Sequence, residues 1–579
     1  MSVAPIDFPP PVQPEKEFVG PPEDAEDERI EVGVAIVGGG PAGLACAVRL
    51  MQLLEDDPAL AESLGEVPVA LIEKGKNTGS HLLSGAMMHP SAMERLFPDL
   101  DESDWPTYGT VEKDDVRFLT KSMAIPLKPT PPPFRNHGNH VTSIAQLGRF
   151  LGEKAEEAGV YILPETSGYK LLVDEKDHVI GVRTGDKGRG RDGEPLGNFE
   201  PGSDVVAKAT VLCEGTQGHL AGAAIKHFDL GSGDPQQWEL GVKEVWEVEK
   251  PLDRVIHSLG WPLRWGGKYR EAGGSLIYPM GEDKVSMGFV VGLDYTDATV
   301  SAHDLLQQFK QHKMVRGILE GGKRVAWGAK TIPSGGYWAM PKQLWAPGMM
   351  ICGDSAGMVN VPKLKGVHLA MHSGMYAAEA IYQRLKSGGD TSDFSNYQQS
   401  IEGSQIEKDL HRSRNMRQAL SHGLLKGGLM ANVMEISGGR LLGGHHHTHD
   451  DAAVDVFIGK RNKKYPKPDG KYTFDKLGSV FTTGNATRDD APNHIRIQKN
   501  VPAEIAIMWD YMCPAQVYTV PDEIKEQLEK GNGSIEDLKG QVVDLEITPS
   551  NCVQCGAITA KGGRLTPPEG GDGPNYQQT

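Results

Sequence analysis

The chain has 579 residues, 39% hydrophobic and 24% charged, which is more than one hydrophobic core keeps growing to fill, so two or three domains are expected. A formal charge of −17 at pH 7 argues against nucleic acid and acidic lipid as partners, because both demand a basic surface. Six cysteines are too few for a disulfide framework at this length, and no run of 18 apolar residues is present to span a bilayer.

Residues 1–30 are rich in proline and acid, with no apolar signal core and no arginine-rich amphipathic pattern. They are expected to form a flexible arm, disordered or draped on the surface, and no signal or transit peptide is visible. A β-rich run, Glu31–Val37, then ends in Gly38-Gly39-Gly40-Pro41-Ala42-Gly43 and a helical pattern, LACAVRLMQLLE. Strand, glycine turn and helix in that order make a dinucleotide site. Gly38 serves the tight turn, Gly40 lets backbone approach a pyrophosphate, and Gly43 permits close helix–strand packing. The helix N-terminus offers free N–H groups to the phosphates. The next strand, PVALIEKG, ends in Glu73, placed to accept hydrogen bonds from a ribose; the polar stretch DDPALAESLGE reads as an insertion before it.

One such turn does not separate FAD from NAD. A third strand, KATVLCEG, fits a place over the adenosine, and a returning strand, GMMIC, leads into Gly353-Asp354 and a long helix. An Asp there meets the ribityl chain of FAD, and a single NAD domain has no need of so distant a strand. Cys46, Cys213 and Cys352 stand in apolar runs and read as buried, reduced thiols. SHGLLKGGLMANVME presents an apolar helical face through Leu424, Leu425, Leu429, Met430, Val433 and Met434, read as core packing. GGHHHTHDD, with His445, His446, His447 and His449, reads as a solvated polar loop, with adventitious metal binding as the alternative. Near the C-terminus Cys513, Cys552 and Cys555 lie among proline and glycine, a setting that suits iron and sulfur.

Taken together, GSHLLSGAMMHP (79–90), GWPLRWGGKYREAGGSLIYPM (260–280), VNVPKLKGVHLAMHSG (359–374), YPKPDGKYTFD (465–475), CPAQVY (513–518) and PEGGDGPNY (568–576) resemble the electron transfer flavoprotein–ubiquinone oxidoreductases from about residue 30 onward. The resemblance implies an α/β (α+β overall) protein: a two-part FAD-binding Rossmann-like domain with an inserted quinone-binding domain and a small C-terminal ferredoxin-like iron–sulfur domain. The corresponding divisions are 1–30 (arm), 31–235 (FAD, first part), 236–345 (ubiquinone), 346–460 (FAD, returning part, and helices) and 461–579 (iron–sulfur). It implies FAD and a [4Fe–4S] cluster as cofactors, and electron transfer flavoprotein, ubiquinone and a membrane surface as partners. It also places Gly273 and Gly274 at the quinone and residues 79–100 in the headgroup layer; read from the residues alone, the glycine pair could equally be a bulge or turn, and 79–100 could equally be core packing beside the flavin. Peripheral, monotopic attachment on the cytoplasmic side of a bacterial inner membrane follows as the expected location.

The chain departs from the family at one ligand. Cys513 opens CPAQVY and Cys552 and Cys555 form CVQC, but Ile558 stands where the family has its fourth cysteine. Four thiolates are the usual complement of such a cluster. A four-iron cluster with another ligand, a three-iron cluster and no cluster all stay open, as does zinc on three cysteines. Two other functions compete: an FAD-dependent polyprenyl (geranylgeranyl) reductase, and a non-catalytic electron-transfer adaptor.

Overall fold

The computed structural model describes residues 3–83, 87–420, 422–459, 465–530 and 533–579. Strand β1 (Ile30–Val37) is buried along its last six residues, the mark of a strand covered on both faces. It runs through the glycine turn into α1 (Pro41–Glu55), with Pro41 at the first helical position, where its missing N–H costs nothing. Strands β2 (Val69–Ile72) and β3 (Asp204–Leu212) flank β1 in parallel.

The inserted domain is a second sheet. Strands β4 (Trp238–Glu247), β5 (Gly273–Pro279), β6 (Lys284–Gly292) and β7 (Lys323–Pro333) pair antiparallel in the order β7-β4-β6-β5. The chain then returns to the first sheet as β8 (Met349–Ile351), parallel to β3, and continues into α2 (Val367–Lys386). The two helices approach closely at Gly374, where any Cβ would stand 2.0 Å from the Ala42 carbonyl oxygen.

Residues 465–579 form a C-terminal module around the helix Ala503–Met512 and short antiparallel pairs. Val501, Trp509, Cys513, Cys552 and Ile558 share one continuous core with Val242, Phe289 and Trp327 of the second sheet. The fold class expected from the sequence is therefore the one observed.

Three expectations are corrected. The N-terminal arm is not free. Val19–Gly20 adds a parallel strand to the first sheet beside Gly168–Val173, and Phe18, 2% exposed, packs edge-on against Tyr169 and His219. Two of its acids are paired as well, Glu23 with Lys170 and Asp24 with Arg183.

The division at residue 235 does not hold for the sheets. Asp114–Leu119 pairs in parallel with Val255–Gly260, so two early strands, this one and Ala124–Pro126, belong to the quinone-domain sheet.

The described residues of 79–100 do not offer an apolar surface to a membrane. Met88, Met93 and Leu96 are wholly buried in the core of the first domain, Met87 is buried beneath the second sheet, and Leu82 and Leu83 face an internal cavity. Ser84, Gly85 and Ala86 lie outside the described residues.

Candidate functional site

Register aligns the C-terminal ends of four parallel strands. Ile72 pairs with Val37, Val37 with Leu212, and Leu212 with Ile351. The residues that follow, Glu73, Gly38, Cys213-Glu214 and Cys352-Gly353-Asp354, therefore stand in one row. That is where open α/β sheets bind ligands. A cavity of about 310 Å³ opens there and runs to the face of the second sheet.

The glycines of the turn have different reasons to be glycine. Gly38 has φ +109°, and a Cβ there would lie 2.3 Å from the Cys213 carbonyl oxygen; one on Gly43 would lie 2.1 Å from the Gly38 carbonyl oxygen. Both are demanded by the fold. A Cβ on Gly40 would meet only Leu82 Cδ2 at 3.7 Å, because it points into the cavity. Gly40 thus keeps open the space before the α1 N-terminus, as a pyrophosphate site requires.

Glu73 is buried and accepts the N–H groups of Gly39 (2.7 Å) and Gly75 (2.6 Å). Burial pushes its carboxyl up against those two hydrogen bonds and Lys74. Asp354 lines the cavity, and burial pushes it up to about 6, opposed by Lys330. A carboxylate desolvated in this way is stabilised by hydroxyl donors such as those of a ribityl chain, so the site fits FAD. Glu214 instead serves the fold, accepting the N–H groups of His219, Leu220 and Ala221 to cap a helix.

Four lysines, Lys74, Lys243, Lys330 and Lys365, line the same cavity, and sequence reading found none of them. They suit an anionic cofactor. Burial and the adjacent Lys74 push Lys330 down to about 8, against Cys555, Glu73 and Cys552, and burial likewise lowers Lys365 to about 8. The available signal was strand glycine, which marks close approach to another group. Gly241 and Gly288 open the cavity-facing side of β4 and β6.

The three expected cysteines come together at the other end of this wall. Cys513 Sγ accepts the Val517 N–H and Cys552 Sγ accepts the Gln554 N–H, both at 3.4 Å. Burial and the neighbouring Cys513 thiolate push Cys555 up to about 12, opposed by Lys330. The three thiols are close enough for charge on one to raise the pKa of another, as in groups sharing one site. Three free cysteines brought to one place suit a cluster held by three thiolates. Ile558 is 3% exposed and packed into the shared core, so this corner of the module is apolar.

Gln554, between the two cysteines, ties module to cavity. Its side-chain oxygen accepts from Lys74 (2.8 Å), its carbonyl accepts from Lys330 (3.1 Å), and it lines the cavity with Gly556. Thr331 donates to the Cys555 carbonyl through both its N–H and its hydroxyl. One peptide unit separates Cys555 from the flavin cavity.

Gly273 and Gly274 do not line this cavity. A Cβ on Gly273 would strike the Val290 carbonyl at 2.0 Å and one on Gly274 the Ser258 carbonyl at 2.7 Å, so sheet packing alone demands them. Gly274 nonetheless lies opposite Val290 and shares a strand face with Leu276, both cavity-lining, which sets it on the cavity-facing side of β5, next to the lining residues. Cys46, Cys213 and Cys352 are buried free thiols, as expected.

Comparison with known proteins agrees with this geometry. Residues 238–332 match the family model described as "ETF-QO, ubiquinone-binding", and residues 470–577 match "Electron transfer flavoprotein-ubiquinone oxidoreductase, 4Fe-4S". The mitochondrial electron transfer flavoprotein–ubiquinone oxidoreductase of rice is 36% identical over 95% of this chain and 93% of its own length. The Pseudomonas aeruginosa protein of that name is 36% identical over 95% of this chain and 99% of its own. Among solved structures, a geranylgeranyl bacteriochlorophyll reductase-like protein of Thermoplasma acidophilum superposes with a TM-score of 0.53 at 18% identity, covering 72% of this chain and 93% of that one. This last likeness shows the fold alone. The sequence matches, with the joined flavin and cysteine sites in agreement, place the chain in the electron transfer flavoprotein–ubiquinone oxidoreductase family.

Proposed function

We propose that this chain accepts electrons from reduced electron transfer flavoprotein and delivers them to ubiquinone, with FAD and an iron–sulfur cluster as its cofactors. The observation that carries the reading is the shared wall: Gln554 and Gly556, on either side of Cys555, line the cavity that begins at Gly38–Gly40. FAD, when bound, supplies one- and two-electron chemistry, and the cluster supplies one-electron chemistry. The chain's own part is to hold both and set their surroundings. The α1 N-terminus and Gly40 receive the phosphates, Glu73 and Asp354 face the cofactor's hydroxyls, and Lys74 and Lys330 lay positive charge between cavity and thiolates. Steady-state quinol formation with reduced electron transfer flavoprotein as donor tests the reading. A chain that instead reduced a prenyl double bond, or carried no turnover at all, would overturn it.

Lys330 makes the electrostatics measurable. A cation beside a reducible group favours the state with the extra electron. Lys330→Met is therefore expected to lower the one-electron midpoint potential of the adjacent cofactor by roughly 50–100 mV, the equivalent of about 1–2 kcal/mol at an effective dielectric constant near 20. Spectroelectrochemical titration of wild type and variant checks this, and unchanged potentials would remove Lys330 from the electrostatic role.

We place the membrane-facing surface on α3 (Leu424–Ile436) and the turn after it, not on residues 79–100. Leu429 is 68% exposed and Ile436, seven residues on and on the same helical face, 77%; Leu441 and Leu442 extend the patch. The side chains of Leu424 and Leu425 lie outside the described residues. Among the described residues no helix is long and apolar enough to cross a membrane. Attachment is then peripheral, on the cytoplasmic side of a bacterial plasma membrane, in keeping with the Pseudomonas relative. With a charge of −17 the contact must be apolar, so it should resist high salt and yield to detergent. The double variant Leu429→Lys, Ile436→Lys is expected to stay in the supernatant when vesicles are sedimented, and wild-type release by salt alone would refute the placement.

A further inference from the structure

The histidine loop expected to be merely solvated is a constructed site. Asp234, just before β4, projects a buried carboxylate whose side chain is 4% exposed. His445 Nε2 lies 2.7 Å from one carboxylate oxygen, and His447 Nδ1 lies 3.1 Å from the other. All three ligand atoms fall within 4.8 Å of one another, and among the described residues no other set of three His, Cys, Asp or Glu side chains does so. Ligands on a tetrahedral ion with bonds of about 2.0–2.1 Å are separated by about 3.3 Å, so small ring movements would seat one.

The surroundings fix these atoms in place although the loop has no regular secondary structure. The Thr448 N–H donates to Asp234 Oδ1 at 3.0 Å, orienting the carboxylate from behind. The His445 ring stacks on Trp338 with centroids 4.1 Å apart, and Trp338 Nε1 donates to Asn415. Asn415 in turn donates to the carbonyls of Leu442 and Gly444, and Arg414 to those of Gly439 and Gly443. The backbone leading to His445 is thus held by side chains from an earlier helical segment. Ligating carboxylates and imidazoles oriented by such partners are the mark of a metal site that binds well. His449 is separate: it faces Gln237, Arg270 and Asp294.

We propose that Asp234, His445 and His447 bind one divalent transition-metal ion, zinc by preference, with water completing the coordination. Two imidazoles and one carboxylate select zinc and its neighbours over magnesium and calcium, which prefer oxygen throughout. The ion replaces the hydrogen bonds between the carboxylate and the two imidazoles. It clips the loop that follows the apolar helix α3 to the segment that enters β4, positions 211 and 213 residues apart in the chain. The site is remote from the cysteines in sequence and owes nothing to them. Its role is to fix the far end of α3 against the quinone-domain sheet.

The test is equilibrium dialysis of the full-length, flavin-loaded protein against zinc chloride, with metal counted by mass spectrometry. Wild type and the surface control His137→Ala are expected to hold one more zinc per chain than Asp234→Asn, His445→Ala and His447→Ala. Zinc held by the cysteine module would appear equally in all five proteins and cancels in the difference. His447 is exposed, so His447→Ala keeps the comparison available should Asp234→Asn fail to fold. Zinc should also raise the melting temperature of wild type and leave that of His447→Ala unmoved. Equal zinc in wild type and all three site variants, or no zinc in wild type, would overturn the proposal.

Discussion

Gly40→Val protein is expected to purify folded and colourless. Gly40 has φ −93°, which any residue adopts, and the only atom within 4 Å of a new Cβ is a leucine methyl at 3.7 Å. The fold therefore loses little. The valine methyls, however, occupy the space between turn and cavity where a pyrophosphate must approach backbone N–H groups. Flavin absorbance should fall to background while circular dichroism stays native. Gly43→Ala is the contrast: its methyl would stand 2.1 Å from the Gly38 carbonyl, so it should destroy soluble protein and not merely flavin binding. Full yellow colour in Gly40→Val would show that the phosphates bind elsewhere.

Cys552→Ser should separate the two cofactors. Cys552 is buried within the core shared by module and second sheet, and serine is close in volume, so the module keeps its shape. With only three thiolates at the outset, loss of one leaves two, too few to hold a cluster. Iron and acid-labile sulfide should disappear and the cluster signal should vanish from the EPR spectrum of the reduced protein. FAD should remain, because the module residues that line its cavity are Gln554, Gly556, Leu565, Thr566 and Pro567, and Cys552 is not among them. Ile558→Cys is the opposite change and should raise iron per chain and slow its loss in air. Wild-type iron in Cys552→Ser would mean that the cluster is not held at CVQC.

How much of this was legible depended on distance along the chain. Gly38, Gly40, Gly43 and Asp354 were readable because a strand, a turn and the helix or helical turn after it are contiguous, and local order carries the chemistry. Lys74 and Lys330 were not: each looks like a solvent-side lysine until β2 and β7 are brought to one cavity. Gln554 was seen only as spacer between two cysteines, and its contacts with both lysines come from tertiary structure. The apolar segments show the same limit in reverse. Met88, Met93, Leu429 and Ile436 are equally apolar in sequence, but whether each meets a core or solvent depends on what packs over it, and the pattern pointed to the wrong segment for the exposed face. The proline-rich arm was misjudged because one buried anchor, Phe18, outweighs a composition that otherwise favours disorder.

The pairing of β3 with β8 has a kinetic consequence. Those strands meet at Thr210–Leu212 and Met349–Ile351, so the central sheet joins residues far apart in the chain across an entire inserted domain. Closing so long a loop is slow, and contacts of this kind form late. During synthesis β3 must wait beside β1 with one edge partly unpaired until the second sheet has been made, and an unpaired edge invites association with other chains. Yield in heterologous expression should accordingly be set by elongation rate and chaperone supply more than by the stability of the finished fold.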